Sequence, residues 1–183
     1  MMSMPHMTPA ELRQHATFTA LMWAFSYPGR PQRLPAAGLA AFVAIGETLL
    51  DLETGFFTPY DDLVPALAAT GGRPLPPIHA PYQFYPQLTL AELDLLVTAP
   101  LGTYAEPDRG ATLVLGCGFA HGTPLHLSGP GLAQPLTITV ARLPDALWRA
   151  RATVAVYPLG WDLYLVDGDQ VIGLPRTTRV EVG

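Results

Sequence analysis

With 183 residues, 49% of them hydrophobic and only 14% charged, the chain is long enough for one domain with a sizeable core and carries less charged surface than usual. A formal net charge of -5 argues against a nucleic-acid binder, and the complete absence of lysine excludes a pyridoxal phosphate Schiff base, a Walker A lysine and a lysine nucleophile. No apolar run approaches the roughly 18 residues of a membrane span, and the Met-rich start lacks the regions of a signal peptide, so a cytoplasmic location is expected.

Residues 1–8 are expected as a loosely attached tail and residues 9–183 as a single domain. Thr8-Pro9-Ala10-Glu11 has the form of a capping box with proline at the first helical position, which predicts a helix to about Phe25. Phe18, Leu21, Met22 and Phe25 recur at three- and four-residue spacing and are expected to face inward. A short strand follows at Pro31–Leu34, then a buried alanine-rich helix from Ala36 to about Leu50, in which Gly46 permits a close approach. Gly55–Thr58 reads as a buried strand, and Asp61–Ala69 as a short helix stopped by Gly71-Gly72. Residues 70–87 hold five prolines and read as loop with one short strand at Tyr82–Tyr85. Thr89 and Glu92 then open a further short helix to Val97 with a second capping box.

The second half is richer in strand. Ala111–Cys117 and Pro124–Leu127 are expected as an antiparallel pair, Ser128-Gly129-Pro130-Gly131 as a turn, Leu136–Val140 as extended and Asp145–Arg151 as helix. The apolar runs Trp161–Val166 and Val171–Leu174, separated by Asp167-Gly168-Asp169, read as a β-hairpin because Asp-Gly supplies the positive φ of a tight turn. Helices and strands alternate early and strands dominate late, which predicts an α/β fold with a mixed sheet covered by helices.

Several clusters bear on chemistry. Cys117, His121 and His126 lie close in sequence, but strand-loop-strand geometry does not itself converge them; with His6, His15 and His79 they read as scattered surface or loop histidines and a buried cysteine. The single cysteine forms no intramolecular disulfide. Ser128–Gly131 offers either a hairpin turn or an anion-binding backbone nest, and Pro130 removes one donor from the latter. Asp61 and Asp62 suit a helix start, and Asp167 and Asp169 suit a turn. Arg176, Thr177, Thr178 and Arg179 form the densest basic spot, where arginine forks suit phosphate or phosphonate. In an extended strand the two arginines fall on opposite faces, and pairing with Glu181 or a partner carboxylate is the simpler reading. Trp23 and Trp161 are candidate interface anchors, since the low charge content points to an apolar contact surface. No catalytic, cofactor-binding or metal-binding constellation stands out.

Four blocks in order carry a resemblance: TFTALMWAFSYPG from Thr17, RGATLVL from Arg109, HLSGPGLA from His126, and PLGWDLYLVDGDQVIGLPRTTRVEV from Pro158. Together they resemble the H subunit of the bacterial carbon-phosphorus lyase system, the PhnH family. The resemblance implies a three-layer α/β/α subunit similar to pyridoxal phosphate-dependent transferases but without the cofactor site. It also implies a homodimer in isolation and assembly with the G, I and J subunits. That system makes a ribose 1-phosphonate 5-triphosphate from alkylphosphonate and ATP before C-P cleavage. Family members have no assigned catalytic residues, so a noncatalytic subunit is expected. Alternatives from the residues are a phosphate- or phosphonate-binding or catalytic protein using Arg176 and Arg179, and a structural homodimer with another partner.

Overall fold

The computed structural model describes residues 7–183; the expected tail falls largely on residues 1–6, and with His6 that part lies outside the described residues. In chain order the elements are α1 (Pro9–Ser26), β1 (Gln32–Arg33), α2 (Leu39–Leu49), β2 (Gly55–Phe57), α3 (Val64–Ala68), β3 (Arg73–Pro74), β4 (Tyr82–Tyr85), α4 (Leu90–Leu96) and β5 (Thr112–Gly116). There follow β6 (Gly118–Ser128), β7 (Leu136–Ala141), α5 (Asp145–Val154), β8 (Asp162–Asp167), β9 (Gln170–Leu174) and β10 (Arg179–Val182). Both expected capping boxes form: the Thr8 and Thr89 hydroxyls accept from the Glu11 and Glu92 amides, and each carboxylate accepts from the cap's own N–H at 2.7 Å. These reciprocal bonds satisfy amides that the first helical turn leaves open.

The central sheet has seven strands in the order β1-β9-β8-β5-β4-β2-β3. Strands β3, β2, β4, β5 and β8 run parallel, and β9 returns antiparallel to β8 in the expected hairpin, with Val166 opposite Val171. Successive side chains of the central strands enter different cores, as the two-residue strand period demands. Val114, Tyr164 and Val166 face α1, α2 and α3, whereas Leu113, Leu115, Leu163 and Leu165 face α4, α5 and a second sheet.

That second sheet corrects two expectations. Thr112–Gly116 does not pair with the strand after it; β5 lies parallel between β4 and β8, and β6 crosses to a separate antiparallel sheet of order β10-β6-β7. Only Cys117 separates β5 from β6, so the chain changes sheets with no room for a hairpin. The fold is thus α/β with a mixed sheet, but one covering layer combines helices with three strands instead of helices alone. The proline-rich stretch does hide a strand, and β4 lies inside the sheet. Buried Gln83 holds the Pro77 and Ala80 carbonyls at 2.6 and 3.3 Å and accepts from the Tyr85 hydroxyl at 2.8 Å.

The inward face of α1 differs from expectation as well. Thr17, Ala20, Leu21 and Ala24 are buried, while Phe18 and Met22 point to solvent. Small residues win because α1 lies close on β9: a Cβ added to Gly173 would sit 2.6 Å from the Ala24 carbonyl carbon and oxygen. Stacking of Phe25 on Tyr164, with centroids 4.1 Å apart, completes that seat. Gly173→Ala is accordingly expected to destabilise the protein by about 2 kcal/mol in urea unfolding, because backbone must retreat from backbone. An unchanged midpoint would mean that α1 does not rest there. At Gly46 the close approach expected from the sequence is made by Leu67 of α3.

Candidate functional site

The chain leaves β9 at Leu174, turns through Pro175–Thr178 and enters β10 at Arg179. The turn closes with the Thr178 N–H donating to the Pro175 carbonyl at 2.8 Å. Arg176 and Thr178 therefore do not sit in an extended strand, which removes the simple opposite-face argument. Arg176 folds back over the start of β8. Its backbone N–H and Nε donate to the two carboxylate oxygens of Asp162 at 2.7 and 3.1 Å, and its Nη1 donates to the Pro107 carbonyl. The expected partner Glu181 is replaced by Asp162, which the fold brings beside the turn from fourteen residues away. Arg176 is thus a clasp between the turn, β8 and the segment before β5.

Arg179 is exposed at the start of β10, opposite Ser128 of β6. Although the two arginines do not share a ligand, Arg176, Thr177, Thr178 and Arg179 all line one cavity of about 770 Å³ beside the C-terminal half of α5. Its innermost charged residue is one that sequence reasoning missed. Arg151 of α5 is 2% exposed, and its Nη1 and Nη2 donate to the carbonyls of Thr178 and Pro175 at 2.9 and 2.8 Å. Burial pulls its pKa down to about 10, opposed by the Asp162 carboxylate, so the guanidinium keeps its charge at neutral pH. A signal was available in the sequence: Arg151 falls four residues after Leu147 on the face of α5 that enters the core.

A second cavity of about 600 Å³ lies at the C-terminal ends of β4, β5 and β8, where open α/β sheets commonly bind ligands. It is lined by Pro86, Gly116, Cys117, Arg142 and Val166, among others. Its charged residue is already engaged. Arg142, held at φ 65°, donates to the Asp167 carboxylate at 3.1 Å and to the Cys117 carbonyl. Asp167 also accepts from the Phe119 N–H at 2.9 Å, and Asp169 pairs with Arg33 at 2.7 Å, so both hairpin aspartates hold local structure.

The remaining candidates stay apart. Cys117 is buried with its thiol pKa pushed up by desolvation, which leaves it a poor nucleophile. His15, His79 and His121 are exposed, and the His126 ring meets the Thr137 hydroxyl at 2.8 Å. Among the described residues no group of three or more His, Cys, Asp or Glu is placed to hold a metal ion, and no helix is long and apolar enough to cross a membrane. Asp61 and Asp62 are exposed just before α3. Ser128–Gly131 makes the turn between β6 and β7, with the Leu132 N–H donating to the Gly129 carbonyl.

Of the two expected interface anchors, Trp161 is corrected: it is 1% exposed in the core, with Nε1 donating to the Ala99 carbonyl at 3.2 Å. Trp23 does reach the surface, 41% exposed, stacked on Tyr27, over whose ring the Arg30 guanidinium lies at 5.5 Å. With Phe18 and Met22 it makes an apolar outer face on α1. Between these residues the hydroxyls of Thr19 and Ser26 donate to helix carbonyls four residues back, so they demand little from water.

Residues 6–181 match a family model described as bacterial phosphonate metabolism protein (PhnH). A candidate C-P lyase subunit protein, HtxG, from Stutzerimonas stutzeri is 34% identical over 174 residues, spanning 93% of this chain and 87% of that protein. The PhnH subunit of alpha-D-ribose 1-methylphosphonate 5-triphosphate synthase from Rhizobium meliloti is 41% identical over 85 residues, which cover 44% of this chain and 42% of that protein.

Proposed function

This chain belongs to the PhnH family of bacterial phosphonate metabolism proteins, and we propose that it is a noncatalytic subunit of a carbon-phosphorus lyase complex needed for alkylphosphonate breakdown. The observation that carries this reading is the similarity to HtxG over 93% of the chain. In this reading the subunit works in the cytoplasm with G, I and J partners that convert alkylphosphonate and ATP to a ribose 1-alkylphosphonate 5-triphosphate. It pairs with itself when they are missing. The likeness to pyridoxal phosphate-dependent transferases belongs to the same proposal, as a scaffold put to a different use.

The outer face of α1 supports assembly as the role. Exposed Phe18, Met22 and Trp23 on α1, with Tyr27 at its C-cap, give an apolar surface with the rigid aromatic anchors that dominate interface energies. Co-expression with the G, I and J subunits of the same organism, followed by pull-down and mass determination, is expected to return a stable complex. Recovery of the free protein alone would overturn the subunit reading. Trp23→Ala should weaken that complex by about 2 kcal/mol or more while leaving the melting temperature of the isolated protein almost unchanged. Equal recovery of complex with the variant would move the contact off α1.

A further inference from the structure

We propose that the cavity between α5 and the Pro175–Glu181 segment binds an organic phosphate or phosphonate, anchored by Arg151 and Thr178 with Arg179 at its mouth. That the ligand is an oxyanion rests on the geometry; that it is a phosphorus oxyanion rests on the family reading above. An arginine carries five N–H donors. The protein accepts from Arg151 at two carbonyls, and its Nε has no partner among the described residues. Thr178, whose carbonyl accepts from Arg151, is 1% exposed, and its hydroxyl too has no partner among the described residues. Two orphaned polar side chains in residues that line one cavity are uncommon in folded proteins, where such atoms nearly always find an acceptor or donor.

Charge sharpens the point. Among the described residues no carboxylate forms an ion pair with Arg151; Asp162, whose charge acts on it, is held by Arg176. The C-terminal dipole of α5 and the Pro175 and Thr178 carbonyls orient the guanidinium, but dipoles supply no net counter-charge. A buried unpaired cation is costly, whereas an anion in the cavity would neutralise it in low dielectric. Water would meet the hydrogen bonds and leave the charge. The space suits more than a bare anion: at about 770 Å³ it is in the range of small-molecule pockets, with Trp148, Ala155, Tyr157 and Val180 as walls for an organic group. Glu181 also lines it and, by repulsion, directs the anionic end toward Arg151.

Calorimetric titration of the full chain with methylphosphonate, ATP and inorganic phosphate tests this. At least one of the two organic ligands is expected to bind, and more tightly than inorganic phosphate. Thr178→Val is the informative variant, because losing an unpartnered buried hydroxyl leaves the melting temperature equal or higher while affinity falls about tenfold. Arg179→Gln, at an exposed position, should lower affinity without moving the melt and serves if Thr178→Val does not fold. No heat from either organic ligand overturns the proposal, as does wild-type affinity in both variants. Co-purification with the G, I and J subunits does not depend on the cavity being filled. A failed titration beside an intact complex would therefore remove the ligand site and leave the subunit reading in place, and binding without a complex would do the reverse.

Discussion

Trp161→Ala is expected to cost about 4 kcal/mol of stability and to lower the melting temperature by roughly 10 °C, among the largest effects of any single substitution in this chain. Trp161 stands just ahead of β8, inside the core shared by the central sheet, α4, α5 and the second sheet. Truncation would open a cavity against Leu-rich strands whose backbone is fixed by ladders on both sides, so little collapse can fill it. The Ala99 carbonyl would lose its donor in the same step. Trp161→Phe separates the two contributions: it keeps most of the volume and is expected to lose about 1 kcal/mol for the hydrogen bond. A melting shift under about 2 °C for Trp161→Ala would show that the start of β8 does not enter the core as described. Trp23→Ala is the matched control, since its ring is partly solvated and its loss leaves no void.

Sequence alone treats these two tryptophans alike, and the reason is physical. Aromatic residues serve cores and interfaces equally well, and only the tertiary path of the chain tells which one a given ring enters. Features whose causes are local were legible. Both capping boxes depend on residues three apart, and the β8-β9 hairpin depends on Gly168 at φ 60°. The strand inside the proline-rich stretch was legible because Tyr82–Tyr85 carries no proline. What failed was non-local. The face that α1 buries is set by how close β9 lets it approach, and Gly173 is almost 150 residues beyond the helix. The neighbours of β5 are β4 and β8, the latter reached only after β6, β7 and α5, and nothing in Thr112–Gly116 distinguishes β8 from β6 as a neighbour.

The site divides in the same way. The basic cluster at residues 176–179 stood out from composition, and all four of its residues do reach one cavity. Arg151 did not stand out, because an arginine on a helix is ordinary until its phase is compared with Leu147 and Trp148. Asp162 did not either, because its role depends on the turn after β9 folding back over the start of β8. Buried charge is therefore the more useful guide in this protein: the cost of leaving a cation unpaired marks which arginine the structure treats differently.

Asp162→Ala is the second substitution expected to be severe, at about 3 kcal/mol. The pair it breaks is shielded, with side chains 14% and 18% exposed, so solvent does not screen it as it would a surface ion pair. Removal of the carboxylate leaves the Arg176 guanidinium against the Pro107 carbonyl with no counter-charge and frees the Arg176 N–H as well. The consequence should reach the neighbouring cavity, because the Pro175 and Thr178 carbonyls that hold Arg151 belong to the turn Arg176 clasps. Arg176→Met removes the charge along with its need for a partner and should be milder. The double variant Asp162→Ala with Arg176→Met is then expected to be more stable than Asp162→Ala alone, since the unpaired cation causes most of the damage. Urea unfolding of the two single variants and the double variant measures the coupling. Simple additivity would mean that the two side chains act independently, and a loss below about 0.5 kcal/mol for Asp162→Ala would place the pair in water. A strongly coupled cycle would fix the turn's position by the ion pair and identify Asp162 as the residue that commits Arg176 to structure, leaving Arg151 as the buried cation without a carboxylate.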